Sequence, residues 1–315
     1  MADATKGAAF VDASIAKRPR LTRVKQHSAA VKQLWREGLP PGDKTGWPSL
    51  DAYYTVLPGQ FTVVTGWPGS GKSEWLDALL VNLSRRGWKF AIFSFENQPV
   101  AFHVNKMLEK LSGKPFGHGP TERMSEDEVD EYTNELHESF AFAAVQEGGC
   151  TLKDSLEEAG KFLAEFPDHK RGLVIDPWNE LESWRPGHIN ETEYVSQALS
   201  MARNWARVNN AHVWIVAHPQ KMRREDGKLP IPRPDMISGS QNWWNKGDAC
   251  ITVHRDFDKL ESQDVDVYVQ KMRFKHLGRP GFVTLKWDRI TGRYHEPFAP
   301  KAIAMNEYRR AAGPA

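Results

Sequence analysis

Gly66-Trp67-Pro68-Gly69-Ser70-Gly71-Lys72-Ser73 has the spacing G-x-x-x-x-G-K-[ST]. The segment before it, FTVVT, reads as a buried strand, and the one after it, EWLDALLVNLSRR, as a helix. In that setting Gly66, Gly69, Ser70 and Gly71 let consecutive backbone N–H groups wrap a chain of phosphates, and the helix N-terminus adds a favourable dipole. Lys72 would reach the β- and γ-phosphates, and the Ser73 hydroxyl would ligate Mg²⁺. The ligand implied is a nucleoside triphosphate, ATP before other NTPs.

A triphosphate site that does hydrolysis also needs a carboxylate for the metal and a base for water. GLVIDPWNE supplies an apolar strand ending on Asp176, where a carboxylate can hold Mg²⁺ through its water shell. FAIFSFEN ends a second strand on Glu96, placed to polarise water against the γ-phosphate or, alternatively, to cap or pair structurally. Glu180 competes for the role of base. His218 closes the strand HVWIVAH and is either a γ-phosphate contact or a buried structural histidine.

The elements that must position these residues form an α/β pattern. Strands are expected at 61–65, 90–95, 173–176, 212–217 and 249–254, mostly short apolar runs of the kind found in buried parallel sheets. Helices are expected between them at 73–86, 100–112, 125–144, 152–166 and 191–209, which asks for right-handed crossovers. Segments 265–272 and 282–287 flank HLGRPG and read as an antiparallel hairpin added to the sheet. A short helix at 28–37 would carry Val31, Leu34 and Trp35 on one face. The long Pro-rich stretch 219–244 joins two strands, and a connection of that length usually has a function.

Composition narrows the class. The chain has 315 residues, 42 Lys+Arg against 40 Asp+Glu, and a net charge of +2, so contact with a polyanion must use a local patch. The two cysteines, Cys150 and Cys250, make neither a zinc set nor a disulfide framework and suit a reducing compartment. No run is apolar enough to span a membrane, and the first 25 residues lack the apolar core of a secretory signal. The twelve tryptophans are mostly packing residues by expectation, with stacking or interface roles open for some.

The ordered set of motifs resembles the helicase domain of the RecA-like hexameric replicative helicases, in the branch of the bacteriophage T7-type primase-helicase and mitochondrial Twinkle. The resemblance runs over roughly residues 46–296, through GWPSLDAYYTVLPGQFTVVTGWPGSGKS, SFEN, VIDPWNE, VAHPQK, SGSQNWWNKGDACITVHRD and QKMR. It implies a RecA-like P-loop NTPase core, with a mostly parallel sheet and a C-terminal antiparallel hairpin. It implies that Glu96 is the catalytic glutamate, Asp176 the metal carboxylate and His218 the γ-phosphate sensor. It further implies that Arg273, with Lys271 beside it, acts on the nucleotide of a neighbouring subunit. Residues alone permit this, since a strand puts i and i+2 on one face, but a basic edge strand would read the same way. Arg255 and an aromatic ring, either Phe282 or Tyr294, would flank the base. Trp67-Pro68 stands where the family often has small residues, and Trp243-Trp244 is more aromatic than expected.

The same resemblance makes the segment after His218 a single-stranded DNA contact through Lys221, Arg223, Arg224 and Lys228, with Lys246 near a second loop. Read alone, the segment could equally be a solvated charged loop. Trp243 and Trp244 could stack on bases or pack between subunits. The organisation expected is an arm with a linker helix at 1–45 that docks on a neighbour, an ATPase domain at 46–298 and a tail at 299–315. The expected activity is an ATP-driven 5′–3′ DNA helicase in replication, working as a hexameric ring in the cytoplasm, or in the host cytoplasm if phage-encoded. A primase or polymerase would be a further partner. A RecA-like DNA-remodelling ATPase and a nucleotide-dependent ring scaffold or loader are the alternatives.

Overall fold

In the computed structural model, the residues described are 21–144, 149–181, 189–220, 229–239, 241–259 and 261–297. Nine strands form one sheet: β1 (Phe61–Thr65), β2 (Trp88–Ser94), β3 (Phe140–Phe142), β4 (Lys170–Asp176), β5 (Ala211–Val216), β6 (Ala249–His254), β7 (Asp264–Met272), β8 (Gly281–Trp287) and β9 (Tyr294–His295). Their order is β3-β2-β4-β5-β1-β6-β7-β8-β9. The first six in that order pair in parallel, and β7, β8 and β9 add antiparallel at one edge. The expected hairpin is therefore present, as β7 and β8.

The helices are α1 (Ser28–Glu37), α2 (Pro48–Asp51), α3 (Lys72–Ser84), α4 (Val100–Ser112), α5 (Glu126–His137), α6 (Leu152–Leu163), α7 (Glu191–Val208) and α8 (Gln241–Lys246). One sheet face packs its Val64, Phe90, Val174, Trp214 and Val253 against α3 and α4, around Trp75, Trp88 and Leu79. The other face packs Val63, Phe93, Ile175 and Ile215 against α6 and α7. The parallel strands read as continuous apolar runs because helices cover both their faces. Four tryptophans, Trp75, Trp88, Trp214 and Trp243, are fully buried.

Two elements depart from the expected pattern. The helix expected over 125–144 stops at His137, and Phe140–Phe142 turns back to pair with β2. There Phe140 stacks on Phe90 at 5.2 Å, a contact that a helical course would forfeit. The stretch 219–244 runs into α8, whose Trp243 is buried with its indole N–H on the Ser238 carbonyl and its ring against Trp178. Trp243 is a core residue, so base stacking is excluded for it.

The body reaches back past residue 46. Asp43 bridges to Val56, accepts from the Trp88 indole at 2.7 Å and pairs with Lys170. Residues 1–20 of the arm and the tail at 299–315 lie outside the described residues. All of α1 is exposed, with Val31, Leu34 and Trp35 presented to solvent.

Candidate active site

The strand order sets the tips of β2, β4, β5 and β1 side by side at the C-terminal end of the sheet. Hydrogen bonds clamp that row: Phe95 N–H to the Asp176 carbonyl at 2.9 Å, and the Thr65 hydroxyl to the Ala217 carbonyl at 2.8 Å. The phosphate loop leaves β1 at Gly66, where φ is +153° and a Cβ would lie 2.2 Å from the Val253 carbonyl oxygen. Only glycine fits that approach. Gly71, at φ +88°, caps α3, whose first turn carries Lys72 and Ser73.

Lys72 is 5% exposed, and its ammonium donates to the Trp67 carbonyl at 3.1 Å. Burial pushes its pKa down to about 8, while Asp176 and Glu96 act to hold it up. Asp176 is 5% exposed and meets the Ser73 hydroxyl. Burial pushes its carboxyl up to about 6, with Asp77 and Glu96 adding repulsion and Lys72 opposing it. Asp176 Oδ1 and the Ser70 hydroxyl are buried and have no hydrogen-bond partner. Unpaired buried oxygens are costly, so this pocket is built for groups brought by a ligand. The hard oxygen donors of Ser73 and Asp176 fit Mg²⁺. Among the described residues no group of three or more His, Cys, Asp or Glu could hold a metal ion.

Glu96 lies at the end of β2 with its side chain half exposed, and its Oε1 is 3.3 Å from His218 Nε2. Burial, then the Lys72 charge, lowers the His218 pKa, and the contact with Glu96 opposes that shift. His218 N–H donates to the Asn179 side chain at 2.9 Å. Asn179 went unnoticed in the sequence, where VIDPWNE drew attention to Glu180. Glu180 is exposed and acts on His218 only weakly through space, so Glu96 is the carboxylate in direct contact.

Behind the loop, Asp77 on α3 receives His103 Nε2 at 3.0 Å on both oxygens, and Lys110 pairs with Glu74 at 2.6 Å. These contacts fix α3 to α4. The Tyr294 hydroxyl donates to the Gly71 carbonyl at 3.4 Å, and its ring packs edge-on against Trp47. Arg255 lies over Trp287, 5.0 Å from the ring centroid, and is close enough to Tyr294 to act on it electrostatically. Phe282 is not brought to this place. It pairs with Tyr268, the two rings stack at 4.8 Å, and this face is opposite the one where Val253, Val267 and Val283 are buried.

Lys271 and Arg273 lie at the other end of the sheet. Arg273 N–H bonds the Asp248 carbonyl beside the start of β6, whereas the end of β6 meets the phosphate loop. Six residues of β6 separate the two, about 20 Å along the strand. Lys246, the last residue of α8, contacts the Ser200 hydroxyl on α7 and thus belongs with this far group. Lys221, Arg223, Arg224 and Lys228 lie outside the described residues. The return of that segment is described: the Trp67 indole donates to the Pro230 carbonyl at 2.9 Å, and Thr252 and Gln270 both donate to the Pro232 carbonyl. Among the described residues no helix is long and apolar enough to cross a membrane.

No protein-family model matches the chain. It is 42% identical over 275 residues to the Twinkle homolog protein, chloroplastic/mitochondrial, of Arabidopsis thaliana, a match that takes in 85% of this chain and 38% of that protein. The chain thus spans well under half the length of that relative. Among solved structures, the ATPase domain of G40P superposes with a TM-score of 0.73 at 16% identity, over 88% of this chain and all of that one. A DnaB-like replicative helicase, described with its interactions with primase, gives 0.72 at 15% identity over 87% of this chain and 68% of that one. The RadB recombinase gives 0.52 at 15% identity over 81% of this chain and 99% of that one. The phosphate loop, the row of strand tips and these likenesses together make the chain a relative of Twinkle, built on the RecA-like P-loop ATPase core of the replicative helicases.

Proposed function

We propose that the chain is the motor core of a replicative DNA helicase. It hydrolyses ATP with Mg²⁺ at boundaries between copies in a hexameric ring, and moves 5′–3′ on single-stranded DNA. The observation that carries this reading is the separation within one chain. Lys72, Ser73, Asp176, Glu96 and His218 meet at one end of the sheet, and Lys271 and Arg273 stand at the other. If those two cations act on a triphosphate, it belongs to another copy.

Within a site, the loop N–H groups and Lys72 hold the phosphates, and Glu96 takes up the proton of the attacking water. His218 holds Glu96 at the β5 tip, and Asn179 anchors the His218 backbone N–H. Mg²⁺, when bound through Ser73 and Asp176, supplies neutralisation of the charge on the transferred phosphoryl group. Arg273 of a second copy, with Lys271, adds the remaining positive charge. Arg255 and Tyr294 are the pair we assign to the base. Lys221, Arg223, Arg224 and Lys228 are the residues we assign to the DNA backbone, with a primase or polymerase as a further partner. Neither described cysteine is in a disulfide, which suits the cytoplasm or another reducing compartment.

The test is ATP hydrolysis with and without single-stranded DNA, for the intact chain, Arg273→Ala, Glu96→Gln and their equal mixture. Loss in each variant with partial return in the mixture supports shared sites. Full activity in Arg273→Ala sinks the trans assignment. Stimulation by DNA without strand separation would favour a remodelling ATPase, and turnover indifferent to DNA a scaffold or loader.

A further inference from the structure

The far end of the sheet holds a cluster that hydrolysis within one chain does not use. Asp248 is 3% exposed and immediately precedes β6. Its Oδ2 accepts the N–H of Phe61, the first residue of β1, at 3.2 Å. Its Oδ1 faces three guanidinium groups: Arg273 Nε at 2.8 Å, Arg203 Nη2 at 3.3 Å and Arg207 Nη2 at 3.9 Å. Lys271 joins them through the Trp244 and Asn245 carbonyls, and Arg273 Nη2 also donates to Asn245 at 2.9 Å. Four cations therefore gather about one buried carboxylate, leaving the cluster positive.

Arg273 differs from a fixed structural arginine in two respects. Its backbone N–H is pinned to the Asp248 carbonyl at 2.8 Å, so its side chain can swing without moving the strand. And Asp248 Oδ1, despite its three ionic neighbours, accepts no well-directed hydrogen bond. The carboxylate's hold on Arg273 is one of charge, which another anion can replace, and the one hydrogen bond to be given up with it is that to the Asn245 carbonyl. A buried carboxylate abandoned by its cation is strongly unfavourable. Here Arg203 and Arg207, one turn apart on α7, remain beside it.

We propose that Asp248 is a positioning residue that keeps Arg273 retracted, and that Arg203 and Arg207 hold the carboxylate when Arg273 turns to the terminal phosphate of a nucleotide bound by a second copy of this chain. The proposal rests on the trans reading of Arg273. Carboxylate and phosphate compete for one guanidinium, and the two α7 arginines lower the cost of its release.

The experiment follows assembly by sedimentation against concentration of a non-hydrolysable ATP analogue. Asp248→Asn, which retains the acceptor for Phe61, should lower the midpoint about fivefold, as for a charge pair whose arginine is partly exposed while its carboxylate is buried. Asp248→Glu should stay near the intact chain. Arg203→Gln with Arg207→Gln should raise the midpoint by a similar factor, and adding Asp248→Asn should cancel that rise. In an Arg273→Ala background, Asp248→Asn should shift nothing. An unmoved or raised midpoint for Asp248→Asn, or the same shift without Arg273, overturns the proposal. Should Asp248→Asn fail to fold, the α7 pair decides alone, and an unchanged midpoint there is fatal. Arg273→Ala with full hydrolysis removes the trans reading itself. Arg273→Ala that is inactive, with Asp248→Asn silent, removes only the role of Asp248.

Discussion

The Trp67 indole N–H donates to the Pro230 carbonyl, while the carbonyl of the same Trp67 receives the Lys72 ammonium. One residue of the phosphate loop is thus tied on one side to the group that binds phosphate and on the other to the return of the segment after His218. When Lys72 turns to a triphosphate it must leave the Trp67 carbonyl. The family resemblance marks Trp67 as a departure from small residues, and the structure gives it a mechanical place.

Trp67→Phe keeps an aromatic ring and deletes the N–H, leaving the Pro230 carbonyl without that donor. We expect the ratio of DNA-stimulated to basal ATP turnover to fall several-fold, in line with a lost hydrogen bond of about 1–1.5 kcal/mol. Steady-state hydrolysis with saturating single-stranded DNA measures it. An unchanged ratio would show that the Trp67–Pro230 bond carries no coupling.

Lys72 offers a pH test. Its pKa in the free chain is about 8, and only the ammonium holds phosphate well. Binding phosphate favours the charged form, so above about pH 8 binding must take up a proton. Affinity for a fluorescent ATP analogue should be flat from pH 7 to 7.5, then weaken toward about tenfold per pH unit. Lys72→Arg, always charged, should show a flat profile whatever its absolute affinity. A wild-type profile level to pH 9.5 would contradict the assignment.

How far these residues could be read beforehand depended on the range of their contacts. Glu96, Asp176 and His218 each end an apolar run, and an apolar run stopped by a polar residue marks a strand tip from local pattern alone. Phe140–Phe142 was hidden because three residues ending an amphipathic run suit either period, and only pairing with β2 decides. Phe282 looked available for the base until register placed it opposite Tyr268 on the wrong face. Asp248 gave no signal at all, since its partners come from positions 203, 207 and 273. Asn179 was overlooked beside Glu180 because its contact with His218 spans 39 positions.

Helix α1 should act between copies. Ten residues are too few for a stable isolated helix, and this one exposes Val31, Leu34 and Trp35 together. A neighbouring copy is the surface we propose for it. Val31→Ser with Trp35→Ala should reduce the assembled fraction seen by light scattering with nucleotide present, without lowering the melting temperature of the ATPase body. Unaltered mass at every protein concentration would end the proposal.

Asp176 should cost the free chain stability, as a group poised for a metal does. Its pKa rises from 3.8 to about 6 on folding. A carboxyl raised by folding contributes stability below its unfolded pKa and loses it as pH climbs through the folded one. The loss is therefore complete above about pH 6, and two units correspond to at most about 3 kcal/mol. Asp176→Asn removes the charge and should raise the nucleotide-free melting temperature by a few degrees at pH 7.5. At pH 4 the gain should nearly vanish, because the wild-type carboxyl is then mostly protonated in the fold. The same variant should gain much less from Mg²⁺ and ATP than the wild type does. A melting temperature that falls in Asp176→Asn, or rises equally at both pH values, would mean that burial of this carboxylate is not what the fold works against.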